Sequence, residues 1–271
     1  MVLLEAKEIS KSFGGINAVV NFSFEVKKNE ILGLIGPNGA GKTTIFNLLT
    51  GFAAVDKGQV WFSGKDITGL KPHIIAAEGL VRTFQSTEYL YFGCSVLENV
   101  LMSKHTFFRT STLSNLIGLS KAKEEERTCR NEALELLDFM GLREFESTLA
   151  DNLPHGLQRI LGVAIGLAAK PKLLLLDEPM TGMNPGEKRS MTRLVDKIRN
   201  QGITIVMIEH DMRSVMEICD RLVVINFGHK ICEGRPEEVK ENPDVIEAYL
   251  GKKQWSLCGL KTSLPGISRQ R

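Results

Sequence analysis

A glycine-rich segment at residues 36–43 carries the strongest chemical signal in the sequence. It spells Gly-Pro-Asn-Gly-Ala-Gly-Lys-Thr and matches the pattern GxxxxGK[ST], between a short apolar run at 31–35 and a helical run at 43–49. Glycines let successive backbone amides turn toward phosphate oxygens, and Lys42 places a charge beside the terminal phosphates. Thr43 is the expected Mg²⁺ ligand. The other residues predicted to contact a bound nucleotide here are Gly36, Pro37, Asn38, Gly39, Ala40, Gly41 and Thr44.

Two acidic residues follow a second apolar run, at 173–176. Asp177 would lie at the carboxyl end of a buried parallel strand, where it can hold the shell of a Mg²⁺ ion through water. Glu178 is then placed to polarise an attacking water as a general base. Taken alone, the pair could merely cap a strand. Together with the glycine-rich loop, it predicts hydrolysis of a nucleoside triphosphate.

The elements that must position these residues fall into two kinds of sheet. Phe22, Phe24 and Val26 alternate with polar residues, which is the period of a half-buried antiparallel strand, and residues 60–62 predict another strand of that sheet. Wholly apolar runs separated by helical sequence instead predict a parallel sheet built from βα units. These runs are 31–35, 173–176 and 204–208. The expected fold is therefore α/β, with an additional antiparallel β subdomain.

A mainly helical lobe is predicted at about residues 86–160, inserted in the α/β core. Within it Ala133, Leu136, Leu137 and Met140 recur at helical spacing. Residues 221–233 are expected to form a hairpin. The segment 252–271 contains five Lys or Arg and no acid, so we expect a disordered basic tail after one domain at residues 1–251.

Composition excludes several functions. A formal net charge of +2 lacks the basic excess that is typical of nucleic-acid binders, so no nucleic-acid partner is expected. The longest apolar run, 160–169, is well below the roughly 20 residues that span a bilayer. Five scattered cysteines form no CxxC pair, which favours a reducing cytoplasm. If the protein serves a membrane, we expect other chains to supply the span.

The wider order of motifs resembles ATP-binding cassette (ABC) proteins over residues 2–251, with the core of a P-loop NTPase. The resemblance is carried by Gln85, a segment around Gly156, Asn184-Pro185 and His210, which follow the glycine loop in the family's order. It implies that ATP and Mg²⁺ are bound, and that Gln85 senses both the metal and the transport subunit. It also implies that His210 contacts the γ-phosphate and that Phe13 stacks on adenine. ATP is then hydrolysed between paired cassettes, either identical or different.

A closer resemblance is to the ATPase subunits of branched-chain amino acid importers. It is carried by an insertion at 107–119 and by three motifs, Phe13-Gly14-Gly15, Gly182-Met183-Asn184-Pro185 and Ala248-Tyr249-Leu250-Gly251. The resemblance implies a subunit bound to permease chains on the cytoplasmic face of the inner membrane. Related cassettes for urea, amides and lipopolysaccharide export share several of these motifs. Those cargoes, a soluble cassette ATPase without transport and a non-hydrolysing regulatory subunit remain alternatives.

The signature segment departs from the family pattern LSGGQ. Here the matching stretch is Leu153-Pro154-His155-Gly156-Leu157, so the serine hydroxyl is absent. Proline is tolerated at a helix start, and amides from Gly156 onward still offer an anion site at a helix N-terminus. We therefore expect Gly156 to contact the ATP held by the partner cassette, with little loss of turnover from Pro154.

Overall fold

The computed structural model describes residues 1–83, 90–104 and 119–250. Within them, one sheet is antiparallel and has the strand order β2-β1-β4-β5. Phe22, Phe24 and Val26 are buried on one face of β2, which confirms the predicted alternation. The four strands of this sheet are β1 (Val2–Phe13), β2 (Ile16–Lys27), β4 (Lys57–Phe62) and β5 (Lys65–Asp66).

The second sheet has six strands in the order β10-β9-β3-β8-β7-β6. These are β3 (Ile31–Ile35), β6 (Leu80–Arg82), β7 (Leu173–Asp177), β8 (Thr204–Ile208), β9 (Arg221–Asn226) and β10 (His229–Gly234). All neighbours are parallel except β9 and β10, which form the predicted hairpin. In the register, Ile208 lies opposite both Leu34 and Asp177. The carboxyl ends of three adjacent strands therefore meet at one edge.

Nine α-helices occur in the described part of the chain. They are α1 (Lys42–Leu49), α2 (Pro72–Glu78), α3 (Val96–Lys104), α4 (Leu119–Met140), α5 (His155–Ala168), α6 (Pro185–Asn200), α7 (Met212–Ile218), α8 (Pro236–Glu241) and α9 (Pro243–Leu250). Helices α3, α4 and α5 pack together as the expected helical lobe. The predicted apolar stripe of α4 holds, since Ala133, Leu137 and Met140 are buried and Leu136 is partly buried.

Both faces of the parallel sheet are covered. Alternate residues of β7 point into two separate cores, with Leu174 and Leu176 in one and Leu173 and Leu175 in the other. A strand that is buried on both faces needs a continuous apolar run, and the sequence of β7 has this pattern. The α/β prediction, with its antiparallel subdomain, is confirmed by these two sheets and their helices.

Several predicted features lie outside the described residues. They are Gln85, Gly251, the tail at 252–271 and the insertion at 107–119 except for the first residue of α4. The domain bounds 1–251 stay a prediction. Among the helices that the structure describes, none is both long and apolar enough to cross a membrane.

Candidate functional site

The glycine-rich loop connects β3 to α1 along a path that side chains would block. A Cβ atom added to Gly36 would lie 2.1 Å from the carbonyl oxygen of Ile225 on β9. One added to Gly41 would lie 2.5 Å from the carbonyl oxygen of Ala18, and Gly41 has a φ of +110°. Only glycine fits such close backbone approaches. The loop is thereby pressed against both sheets, and its chain is turned into the first residue of α1.

Lys42 begins α1 and is buried under the loop. Its Nζ donates hydrogen bonds to the carbonyl oxygens of Gly36 and Pro37, at 2.7 and 2.9 Å. Burial lowers the pKa of Lys42, while the nearby carboxylates of Glu178 and Asp177 oppose that shift. The ammonium group is thus held at the N-terminus of α1, where it could form an ion pair with a bound phosphate.

Asp177 ends β7 and is almost completely buried. Its Oδ2 accepts a hydrogen bond from Nη2 of Arg82 at 2.6 Å. Its Oδ1 is buried and has no hydrogen-bond partner among the described residues. Burial raises the pKa of Asp177, and the attraction of Arg82 opposes that shift. One oxygen is therefore fixed by the guanidinium while the other remains available to a further ligand.

That available oxygen makes the site suitable for a magnesium ion. Mg²⁺ prefers hard oxygen ligands and usually keeps several waters. The hydroxyl of Thr43 lies at the exposed start of α1, beside the loop. Asp177 and Thr43 would hold the ion, which would neutralise charge that develops on the phosphates.

Glu178 and His210 form a hydrogen-bonded pair that bridges the ends of β7 and β8. The distance from Nε2 of His210 to Oε1 of Glu178 is 2.5 Å. Oε2 of Glu178 accepts a hydrogen bond from the hydroxyl of Thr181 at 3.1 Å. Glu178 has a φ of +50°, which non-glycine residues adopt uncommonly and which is often found at functional sites. Both oxygens of this carboxylate are therefore oriented by neighbours.

One cavity of about 320 Å³ brings the loop and the paired residues together. Within the described chain, its lining includes Glu178 and His210 but not Phe13, Gly36, Pro37, Asp177 or Gly156. Its other lining residues are Ala18, Asn38, Gly39, Ala40, Gly41, Lys42, Thr43 and Thr44. Glu178, the predicted general base, and the predicted phosphate-binding loop thus face the same space. This is the arrangement that hydrolysis of a terminal phosphate requires.

Phe13 lies at the end of β1, and half of its surface is exposed. Nζ of Lys11 lies 5.3 Å from the centre of its ring. The exposed ring is available for stacking on a base, as the family resemblance implies. Gln85, the remaining predicted residue, is not among the residues that the structure describes.

The signature segment lies against the residues that follow Glu178. Pro154 caps α5 without a side-chain hydrogen bond. A Cβ atom on Gly156 would lie 2.6 Å from Oε1 of Glu187, whose carboxylate completes the capping box of α6. A Cβ atom on Gly182 would likewise lie 3.0 Å from the ring of His155. The start of α5 therefore contacts the start of α6, and neither His155 nor Gly156 lines the cavity described above.

Two residues that support the site were not predicted from the sequence. Arg82 pairs with Asp177, and its position at the end of a strand three residues before Gln85 was the available signal. Glu209 is 2% exposed and accepts hydrogen bonds from the amides of Met180 and His210, at 2.7 and 3.3 Å. Burial raises the pKa of Glu209, an effect that these hydrogen bonds oppose. It joins the segments that carry Glu178 and His210.

Fold and site together define a P-loop nucleoside triphosphatase. Residues 19–181 match the model of the ABC transporter family, and residues 229–253 match that of the branched-chain amino acid ATP-binding cassette transporter. The chain belongs to the ABC transporter family and is an ATPase of that family, as the sequence predicted.

Curated relatives support this membership over nearly the whole chain. The high-affinity branched-chain amino acid transport ATP-binding protein BraF of Pseudomonas aeruginosa is 40% identical over 251 residues, or 92% of this chain and 98% of the relative. LivG of Escherichia coli K12 has the same identity and coverage. A solved ATP-binding cassette of an ABC transporter, in its ADP conformation, is 33% identical, with a TM-score of 0.81 over 93% of this chain and 100% of its own. The predicted resemblance to cassettes of this group and the prediction that the chain binds nucleotide are confirmed.

Proposed function

We propose that this chain is the ATP-hydrolysing subunit of an importer for branched-chain or related amino acids. The main supporting observation is that residues 229–253 match the model of the branched-chain amino acid ATP-binding cassette transporter. Relatives with that cargo in their names also cover 92% of this chain. The description of this model and the names of these relatives favour this cargo over urea, amides or lipopolysaccharide.

The hydrolytic step is assigned to residues around the cavity. The loop amides and Lys42 bind and orient the phosphates of ATP. Glu178 accepts a proton from the attacking water while the water oxygen bonds to the γ-phosphorus and the bond from that phosphorus to the oxygen of ADP breaks. His210 holds Oε1 of that carboxylate in place. The family resemblance also assigns His210 a contact with the γ-phosphate. Phe13 stacks on the adenine. Thr43, Asp177 and Gln85 are assigned to Mg²⁺, which supplies charge neutralisation at the phosphates when bound.

The partners proposed for this chain follow from its family. A second cassette, identical or different, would present its own signature segment to this cavity, and Gly156 of this chain would serve the ATP held by that partner. Permease chains would hold both cassettes on the cytoplasmic face of the inner membrane. The position of Gly156 supports this arrangement, because Gly156 does not line the cavity beside its own chain's glycine-rich loop.

The test is ATP-dependent uptake by the assembled complex. The full chain is purified from membranes with its bound chains, placed in vesicles with ATP on the cassette side, and supplied with radiolabelled leucine, isoleucine or valine. We expect uptake that Lys42→Ala abolishes and that Lys65→Ala, a change at an exposed lysine of β5, preserves.

Two outcomes would contradict the proposal in different ways. ATP-dependent movement of urea, an amide or lipopolysaccharide without amino acid uptake would reject the cargo and leave the transporter ATPase. Recovery of an active ATPase without any membrane chain would instead favour a soluble cassette.

A further inference from the structure

The hairpin of β1 and β2 extends beyond the rest of its sheet at the end that carries Phe13. The pairing of β1 with β4 ends at Ser10 and Lys57. The pairing of β1 with β2 continues to Phe13 and Ile16. Ala18, two residues further along β2, lines the cavity beside the glycine-rich loop. The exposed ring of Phe13 is therefore carried by a projecting hairpin close to the predicted phosphate site.

Asp56, the residue before β4, holds the projecting end of β1. Its Oδ1 accepts a hydrogen bond from Nζ of Lys11 at 2.6 Å, and its Oδ2 accepts one from the N–H of Ser12 at 2.8 Å. Its own N–H donates to the carbonyl oxygen of Ser10 at 3.0 Å. The hydrogen bonds from Lys11 and Ser12 lower the pKa of Asp56, so the carboxylate is ionised at neutral pH. One residue thus binds three consecutive residues of β1.

Lys11 connects this carboxylate to the ring of Phe13. Its Nζ lies over the ring, 5.3 Å from the ring centre. An ammonium group within about 6 Å of an aromatic ring is attracted by the negative charge of the ring face. The Lys11 side chain is only 14% exposed, whereas Phe13 is 50% exposed. The ammonium group therefore holds one side of the ring, and the remaining ring surface is open to a ligand.

We propose that Lys11 and Asp56 are positioning residues for the adenine of ATP, which hold the Phe13 ring in the orientation that stacks on the base. A ring that is already fixed loses less rotational freedom when the nucleotide binds, so the affinity for the base is higher. Because Lys11 lies over one side of the ring, the base stacks on the other side. The proposal deepens the nucleotide site proposed above and rests on the assignment of Phe13 to adenine stacking.

The test uses two ligands that share a diphosphate and differ in the base, MgADP and magnesium pyrophosphate. For Lys11→Met in the full chain, we expect the Kd for MgADP, measured by calorimetry, to rise about threefold to tenfold, because the ring must now be immobilised on binding. The Kd for magnesium pyrophosphate should stay within about twofold of the parent. Lys11→Arg keeps a cation beside Asp56 and over the ring, so it should retain most of the affinity for MgADP.

Asp56→Asn tests the second residue, and Asp66→Asn is its matched control. Asp66 is an exposed aspartate on the edge strand β5 of the same sheet, where it accepts a hydrogen bond from the N–H of Thr68 at 2.9 Å. Asp56→Asn should weaken the binding of MgADP but not of magnesium pyrophosphate, and Asp66→Asn should change neither. In a chain that already carries Phe13→Ala, Lys11→Met should have no further effect on the Kd for MgADP, because the ring that Lys11 positions is absent.

Equal losses of affinity for the two ligands would show that Lys11 and Asp56 act on the fold alone, and would overturn the proposal. An unchanged Kd for MgADP in Lys11→Met, together with weaker binding in Phe13→Ala, would also overturn it while leaving the stacking on Phe13 intact. If Phe13→Ala itself leaves the Kd for MgADP unchanged, the assignment of Phe13 to adenine is rejected, and this proposal with it. A parent that binds neither ligand would instead reject the nucleotide site.

Discussion

Replacing Arg82 by methionine should strongly destabilise the fold. The Arg82 and Asp177 side chains are only 6% and 2% exposed, and the distance between Nη2 and Oδ2 is 2.6 Å. Arg82 also donates to Oδ1 of Asn47 at 2.5 Å and lies 5.6 Å from the ring centre of Phe46. Methionine keeps the apolar stem and removes the charge. Removing one partner of a buried ion pair costs about 3–5 kcal/mol, because the remaining charge is left uncompensated.

Urea unfolding of the nucleotide-free full chain measures this loss, and its pH dependence identifies the cause. Without Arg82, the pKa of Asp177, already raised by burial, should rise further. A carboxyl group with a raised pKa binds its proton more tightly in the folded state. Its stabilising contribution is therefore present at acid pH and disappears as pH rises through the folded-state pKa. The loss of unfolding free energy caused by Arg82→Met should be smaller at pH 5 than at pH 8.

The matched control is Lys65→Met, which removes a lysine from an exposed ion pair with Glu78. We expect the control to leave the unfolding midpoint essentially unchanged, since exposed pairs contribute little. An Arg82→Met deficit below about 1 kcal/mol, or one that is independent of pH, would refute the reasoning that Asp177 depends on this arginine for its charge.

Three further substitutions test individual assignments. Lys42→Ala should raise the Kd for ATP more than about tenfold and abolish turnover, because the charge beside the phosphates is lost; calorimetry and a phosphate-release assay check this. His210→Ala should lower kcat about 100-fold while the Kd changes less than about threefold, since Glu178 loses its orienting partner; loss of binding alone would contradict it. Pro154→Ser should change steady-state turnover of the assembled complex less than about tenfold, because helix α5 already supplies amides and a positive end; a larger gain at unchanged stability would show that the missing hydroxyl limits this cassette.

The parts of the fold and site that were predicted from sequence depend on local patterns. The run at 173–176 is apolar because β7 is buried on both faces, and its length identifies a strand. The loop at 36–43 is contiguous, so its glycines and Lys42 predict a phosphate site without knowledge of the rest of the chain. Asp177 and Glu178 follow from their place at the end of that strand.

The parts that could not be predicted depend on pairings between distant residues. Arg82 and Asp177 are 95 positions apart and meet only because β6 pairs with β7. Glu209 appears in sequence as one more acid after a strand, and its burial beneath the amide of Met180 depends on the register of β7 and β8. The spacing of residues in the sequence does not predict such contacts, because tertiary packing determines them.

We propose Glu178 as the catalytic base of this ATPase, with the nucleotide held by other residues. The most direct measurement compares the parent with Glu178→Gln in the assembled complex, with MgATP binding and phosphate release recorded on the same samples. Removing a general base typically costs a factor of about 10²–10⁴ in rate. We predict a loss of that size in kcat, with the Kd for MgATP within about threefold of the parent. Turnover near the parent rate, or failure of the variant to bind MgATP, would contradict the assignment.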